Sequence, residues 1–164
     1  AVAISNDDFT CGYQLTKPLS LGISLEYYDY DAKYKELLGL AAIEQRARVD
    51  LEYETDEWMV NVMATWIGER DLMDYGYGGR YNIYSGGTPS SPKSTDAPSY
   101  TVVDLKVSRS LQSGYKLYAG VKNLFNDVQK ESPLFFDADG EFDVGHIYGP
   151  LRGRQVYLWL NATF

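Results

Sequence analysis

From Phe9 to Leu15 the odd positions, Phe9, Cys11, Tyr13 and Leu15, are apolar, whereas Thr10, Gly12, Gln14 and Thr16 are polar or small. A strand produces this pattern because successive side chains point to opposite faces. Lys17-Pro18 supplies a turn, after which Leu19, Leu21, Ile23, Leu25 and Tyr27 alternate with Ser20, Gly22, Ser24 and Glu26. A short break covers Asp31 to Leu40. Then Ile43, Ala47, Val49, Leu51 and Tyr53 alternate with Glu44, Arg46, Arg48, Asp50 and Glu52. Thr55-Asp56-Glu57 makes a turn, and the return strand sets Trp58, Val60, Val62, Ala64 and Trp66 against Met59, Asn61, Met63, Thr65 and Glu69. Residues 71–99 are rich in Gly, Pro, Ser and Tyr without periodicity and form a loop. Alternation resumes over Thr101, Val103, Leu105 and Val107, turns at Gln112-Ser113-Gly114, and returns over Tyr115, Leu117, Ala119 and Val121. A second long loop covers 126–153, and the last strand carries Val156, Leu158, Leu160, Ala162 and Phe164 on one face.

Pattern counting therefore predicts about seven antiparallel strands. Tight connections at 17–18, 55–57 and 112–114 alternate strictly with long ones at 31–40, 71–99 and 126–153. Bacterial outer-membrane barrels show this asymmetry, with short periplasmic turns and long extracellular loops. A soluble sandwich also alternates apolar and polar positions, but two features argue against it. The polar face is heavily charged and also holds Tyr28, Tyr30 and Tyr118, which suits a wet lumen. The apolar face has Trp58 and Trp66 at the two ends of one strand. Their separation corresponds to a rise of roughly 20 Å for a tilted strand, close to the apolar band of about 25 Å between aromatic girdles. An odd number of strands leaves unpaired edges that lipid does not tolerate. The chain is accordingly expected to be one section of a longer barrel. A small complete barrel with an adhesive or structural role is the alternative; it needs an eighth strand, for which residues 1–8 offer only a stub.

The longest nearly apolar run, Leu37 to Ile43, falls far short of the roughly 20 residues of a membrane helix. A net charge of −8 excludes nucleic acid as the expected partner. With one Cys and one His, no internal disulfide and little material for a transition-metal centre exist. Nothing resembles a Ser-His-Asp or Cys-His site, so neither enzymatic activity nor a cofactor is expected.

Three segments resemble the TonB-dependent outer-membrane receptor family. Ala97-Pro98-Ser99-Tyr100-Thr101-Val102-Val103-Asp104-Leu105 resembles the entry to the third-last strand. Gly120-Val121-Lys122-Asn123-Leu124-Phe125-Asn126 resembles the "NLF" segment of the penultimate strand, and Gly149-Pro150-Leu151-Arg152-Gly153-Arg154 with the strand to Phe164 resembles the last one. The resemblance implies that residues 1–164 are the C-terminal portion of a 22-stranded transmembrane barrel in the outer membrane of a Gram-negative bacterium. It further implies an N-terminal plug domain and the remaining strands as partners, energy from the TonB complex, and active uptake of a scarce nutrient. A ferric siderophore or another metal chelate is the default cargo. The terminal Phe164 is, by the same resemblance, the barrel-assembly signal.

Four constellations are candidates for chemistry. Tyr75, Tyr77, Arg80 and Tyr81 sit on glycine-rich backbone and suit recognition of a bulky aromatic or anionic ligand; alternatively, the rings hold loops together. Asp137, Asp139 and Asp143 surround a glycine and offer oxygen ligands for calcium, or form a solvated acidic loop. Met59 and Met63 share the lumen face, but residues four apart on a strand lie about 13 Å apart, too far to share one ion. Arg152 and Arg154 at the outer rim suit lipopolysaccharide phosphates or nearby carboxylates.

Overall fold

In the computed structural model the described residues are 4–37, 42–75, 94–111, 114–133, 135–136, 142–143 and 146–162. Seven long strands follow one another as antiparallel neighbours in a single sheet: β1 (Ile4–Thr16), β2 (Leu19–Tyr30), β3 (Gln45–Glu54), β4 (Trp58–Ile67), β7 (Tyr100–Ser110), β8 (Tyr115–Lys122) and β11 (Gln155–Ala162). The intervening elements are short. Helix α1 (Ala32–Leu37) fills the first break, β5 (Arg70–Asp71), a 3-10 turn (Leu72–Asp74) and β6 (Asp96–Ala97) occupy the second, and β9 (Phe135–Phe136) with β10 (Phe142–Asp143) the third. The seven strands expected from alternation are therefore the seven of the main sheet, and β5–β6 and β9–β10 pair separately. The stub expected from residues 1–8 is instead the beginning of β1, which starts at Ile4. β1 and β11 are the two edges of the sheet.

Register turns the one-strand alternation into rows across the whole sheet. Tyr13, Leu21, Leu51, Val62, Leu105, Val121 and Val156 lie side by side on one face. One step along, Gln14, Ser20, Glu52, Asn61, Lys106, Gly120 and Tyr157 form the opposing row. The apolar face is the exposed one: Val49 is 43% and Leu51 38% exposed, while Arg48, Asp50 and Glu52 between them are half-buried. A water-soluble sheet has the reverse polarity, since burying apolar area at about 25 cal/mol per Å² drives its folding. Only a lipid solvent makes exposure of that face favourable.

Several groups of the charged face pair with one another, although Arg48 Nε and Ser108 Oγ are buried without a hydrogen-bond partner. Arg46 Nη1 lies 2.8 Å from Glu26 Oε2, its direct neighbour across β2 and β3. Asn61 Nδ2 donates to both carboxylate oxygens of Asp50, at 3.0 and 3.1 Å. Two glycines answer specific needs. Gly114 takes φ 80° in the β7–β8 turn, which L residues rarely adopt. Gly120 lies under the ring of its cross-strand partner Tyr157, where a Cβ would collide with ring carbons.

Among the described residues, the buried apolar side chains Ile67, Leu72, Tyr75, Ala97 and Tyr148 all sit at the end of the sheet with the long connections. The core of this chain is a cap of joined loops, rather than a layer between sheets.

Candidate functional site

The cap grows from the strand ends. Asp31 ends β2 and caps α1, its Oδ1 accepting the Lys33 N–H at 2.8 Å and its carbonyl that of Lys35 at 3.0 Å. This brings Lys35 back over the sheet, where Nζ meets Glu44 Oε1 at 2.6 Å and Asp74 Oδ2 at 3.4 Å. Partial burial by itself would lower the Lys35 pKa, but the hydrogen bonds and charges of Glu44 and Asp74 outweigh it and hold the pKa above its ordinary value. The Tyr75 hydroxyl donates to the same Glu44 oxygen at 2.7 Å, and the Lys35 ammonium lies 5.5 Å from its ring centre. Burial, and then the Glu44 carboxylate, push the Tyr75 phenol far above its usual range, so it is a fixed donor at every physiological pH.

Arg70 joins three connections. Its backbone pairs with Ala97 in the β5–β6 ribbon, while its guanidinium donates to the carbonyl of Tyr148 from Nη2 and to that of Ala42 from Nη1. Gln129 stitches the last connection to itself. Its Oε1 accepts from the Tyr148 and Gly149 N–H groups at 2.9 and 3.0 Å, and its Nε2 donates to His146 O at 2.8 Å. His146, a residue without an assigned role in the sequence, is fully buried with Nε2 2.7 Å from Glu131 Oε2. The same Glu131 oxygen accepts the Ser94 N–H at 3.1 Å, which ties the second long connection to the third.

Between these struts lies a cleft of about 660 Å³ lined by Glu44, Glu69, Arg70, Asp71, Asp74 and Asp96. Five carboxylates and one guanidinium line it, and even with Lys35 paired to Glu44 and Asp74 the carboxylates outnumber the cations among the described residues, which favours positive charge. From the lumen below, Tyr28, Tyr30 and Tyr34 stack in sequence at 6.1 and 5.7 Å and lead toward the cap.

Tyr75 has no exposed surface, and the role its geometry gives it is to hold loops together. Tyr77, Arg80 and Tyr81 lie outside the described residues, as do Asp137, Asp139 and Phe164; Asp143 is described only as part of β10. Among the described residues no group of three His, Cys, Asp or Glu side chains is placed to hold a metal ion. Arg154 is exposed; its Nε donates to the carbonyl of Leu124 at 2.8 Å, and no carboxylate among the described residues pairs with it.

The three segments singled out in the sequence meet at one junction on the cap's rim. Asn123, at φ 52°, ends β8 in the left-handed region that asparagine tolerates better than most residues. Its N–H donates to Asp104 Oδ1 at 2.8 Å, and its Nδ2 to the carbonyls of Asp127 at 2.7 Å and Arg152 at 3.0 Å. Leu124 N–H donates to Val103 O at 2.7 Å, and Asn126 Oδ1 accepts from Arg154 N–H at 2.8 Å. Phe125 is left 71% exposed on the rim, where interfacial aromatics belong.

An inside-out antiparallel sheet with tight turns at one end and a built loop cap at the other defines the wall of a transmembrane β-barrel. The sequence profile of the family described as TonB dependent receptor-like, beta-barrel matches residues 6–124, well over half of the chain. This chain belongs to that family. Its fold is similar to that of the copper transporter OprC, with a TM-score of 0.64 at 17% identity over 98% of this chain and 24% of OprC. It is similar also to the ferric enterobactin receptor PfeA in complex with BCV-L6, with a TM-score of 0.60 at 22% identity over 94% of this chain and 22% of that one. A PfeA double mutant from Pseudomonas aeruginosa gives a TM-score of 0.59 at 20% identity, over 96% and 22% of the two chains. The chain thus spans about a quarter of the length of these structures. No curated protein matches it in sequence.

Proposed function

We propose that the protein is an outer-membrane receptor for TonB-dependent active uptake of a scarce nutrient, carried as a ferric siderophore or another metal chelate. The observation that carries the reading is the cap: three outer connections are fastened to one another through Arg70, Glu44 and Glu131 around an open cleft. A barrel whose loops only border water has no need of such a fixed concave surface. Membership of the family, and the names of two structures of the same fold, a copper transporter and a ferric enterobactin receptor, support metal cargo.

In this reading a plug domain fills the lumen, the TonB complex supplies energy from the periplasmic side, and lipopolysaccharide surrounds the rim. Tyr77, Arg80 and Tyr81 make the ligand contacts on a loop that Tyr75 anchors. The excess negative charge of the cleft favours neutral or cationic chelates, such as ferric trihydroxamates, over trianionic ferric triscatecholates. The test is uptake of radiolabelled iron from both chelate types by cells expressing the full-length receptor as their sole siderophore receptor. Accumulation of hydroxamate iron that vanishes on deletion of TonB is the expected result. Accumulation independent of TonB, or none from any chelate or from free copper, would remove the proposal.

A further inference from the structure

On the membrane-facing side, register places Trp58, Arg109, Leu117 and Leu160 in one row. The rows above it, up to that of Phe9, Leu25, Ala47, Trp66 and Thr101, carry no charge among the described residues. Arg109 bounds this uncharged band at the tight-turn end, as Asp7 and Asp29 do at the other end of β1 and β2, and it is exposed. Its height is that of the tight turns: Leu111 N–H bonds Tyr115 O at 2.8 Å just beyond it, and Ser110 N–H bonds Glu57 O at 2.8 Å beside it.

The surroundings of the guanidinium are specific. Its central carbon lies 4.8 Å from the Trp58 ring centroid, so one plane of the group is covered by indole. Glu57 approaches through its backbone, and among the described residues no carboxylate or carbonyl accepts a hydrogen bond from the Arg109 side chain. Five N–H donors on a permanently charged group, exposed at the boundary of the apolar band, are open to water or to an anionic acceptor from the bilayer surface. Planar guanidinium binds phosphate in a bidentate fashion, and the fixed indole holds it in place for that contact at the depth where headgroups begin.

We propose that Trp58 and Arg109 form a binding site for the phosphodiester of an anionic phospholipid in the periplasmic leaflet. The site rests on the outer-membrane reading, because the tight-turn end of the sheet faces the periplasm only in that topology. The lipid's acyl chains lie along the Val60, Val107, Ala119 and Leu158 row, which directly adjoins the pair. The basic group gives an anionic headgroup the advantage over a zwitterionic one, whose own cation competes with the arginine.

Native mass spectrometry of the detergent-purified full-length receptor, offered phosphatidylglycerol or phosphatidylcholine of identical chains, tests the site. The parent is expected to retain the anionic lipid in preference. Arg109→Gln should lower that preference about fivefold, Arg109→Lys should keep part of it, and Trp58→Phe should weaken it less than Arg109→Gln does. Heat-modifiable mobility should be unchanged in all three, since no hydrogen bond within the described chain is lost. An equal preference in the parent and Arg109→Gln overturns the site; should that variant not assemble, the Arg109→Lys and Trp58→Phe ratios decide in its place. Displacement of the bound lipid by millimolar inorganic phosphate would overturn a lipid source. Failure of lipid-phase probes to reach Val60 would instead overturn the membrane reading itself.

Discussion

Asn123 shows how much one side chain contributes to this wall. It is 5% exposed, adopts a left-handed backbone, and distributes four hydrogen bonds among β7, the start of the last long connection and its end. Alanine would keep the unfavourable φ and leave the Arg152 and Asp127 groups without their partner, a loss of about 2–3 kcal/mol. Glycine would relieve the backbone and lose only the side-chain bonds, so Asn123→Gly should be the milder change. Urea titration of full-length receptor refolded into lipid vesicles checks this order, and a harmless Asn123→Ala would show that the junction bears no strain.

At the scale of elements, each strand separates two solvents. The parity that puts Val60, Val62, Leu117 and Leu158 on the apolar face puts Asn61, Lys116 and Lys122 on the other. In a Cys11→Ser background, single cysteines at the first four positions should react with lipid-soluble probes and those at the latter three with aqueous reagents. Labelling without regard to parity would be incompatible with a barrel wall. The loop elements follow a different logic. Helix α1 exists because Asp31 caps it and Lys35 is held by Glu44 and Asp74, and a six-residue helix has little stability of its own.

At the scale of the molecule, β1 and β11 are open edges that must find neighbours in lipid, where each unpaired backbone group costs several kcal/mol. Closure therefore depends on what pairs with these two edges, and the resemblance of the segment after β11 to receptor termini makes Phe164 the proposed assembly signal. Phe164→Asp should sharply reduce the heat-modifiable, protease-resistant receptor in outer-membrane preparations, and Phe164→Tyr should be tolerated because the ring survives. Equal yields of Phe164→Asp and the parent would separate assembly from this residue.

The alternation of residues such as Leu19 to Tyr27 and Trp58 to Trp66 determined seven strands, their faces and their solvents, because burial against lipid acts on each strand locally and leaves a period of two. The family segments around Asp104, Asn123 and Arg152 were likewise legible as motifs. What only the tertiary structure decided is why those motifs exist and what the loops do. Two-residue strands such as β5 and β6 carry no period, and Arg70, Glu131 and His146 gain their partners across 15 to 78 positions of chain. Bonds of that reach depend on how the strand ends are brought together, and no local pattern of apolar and polar residues encodes them.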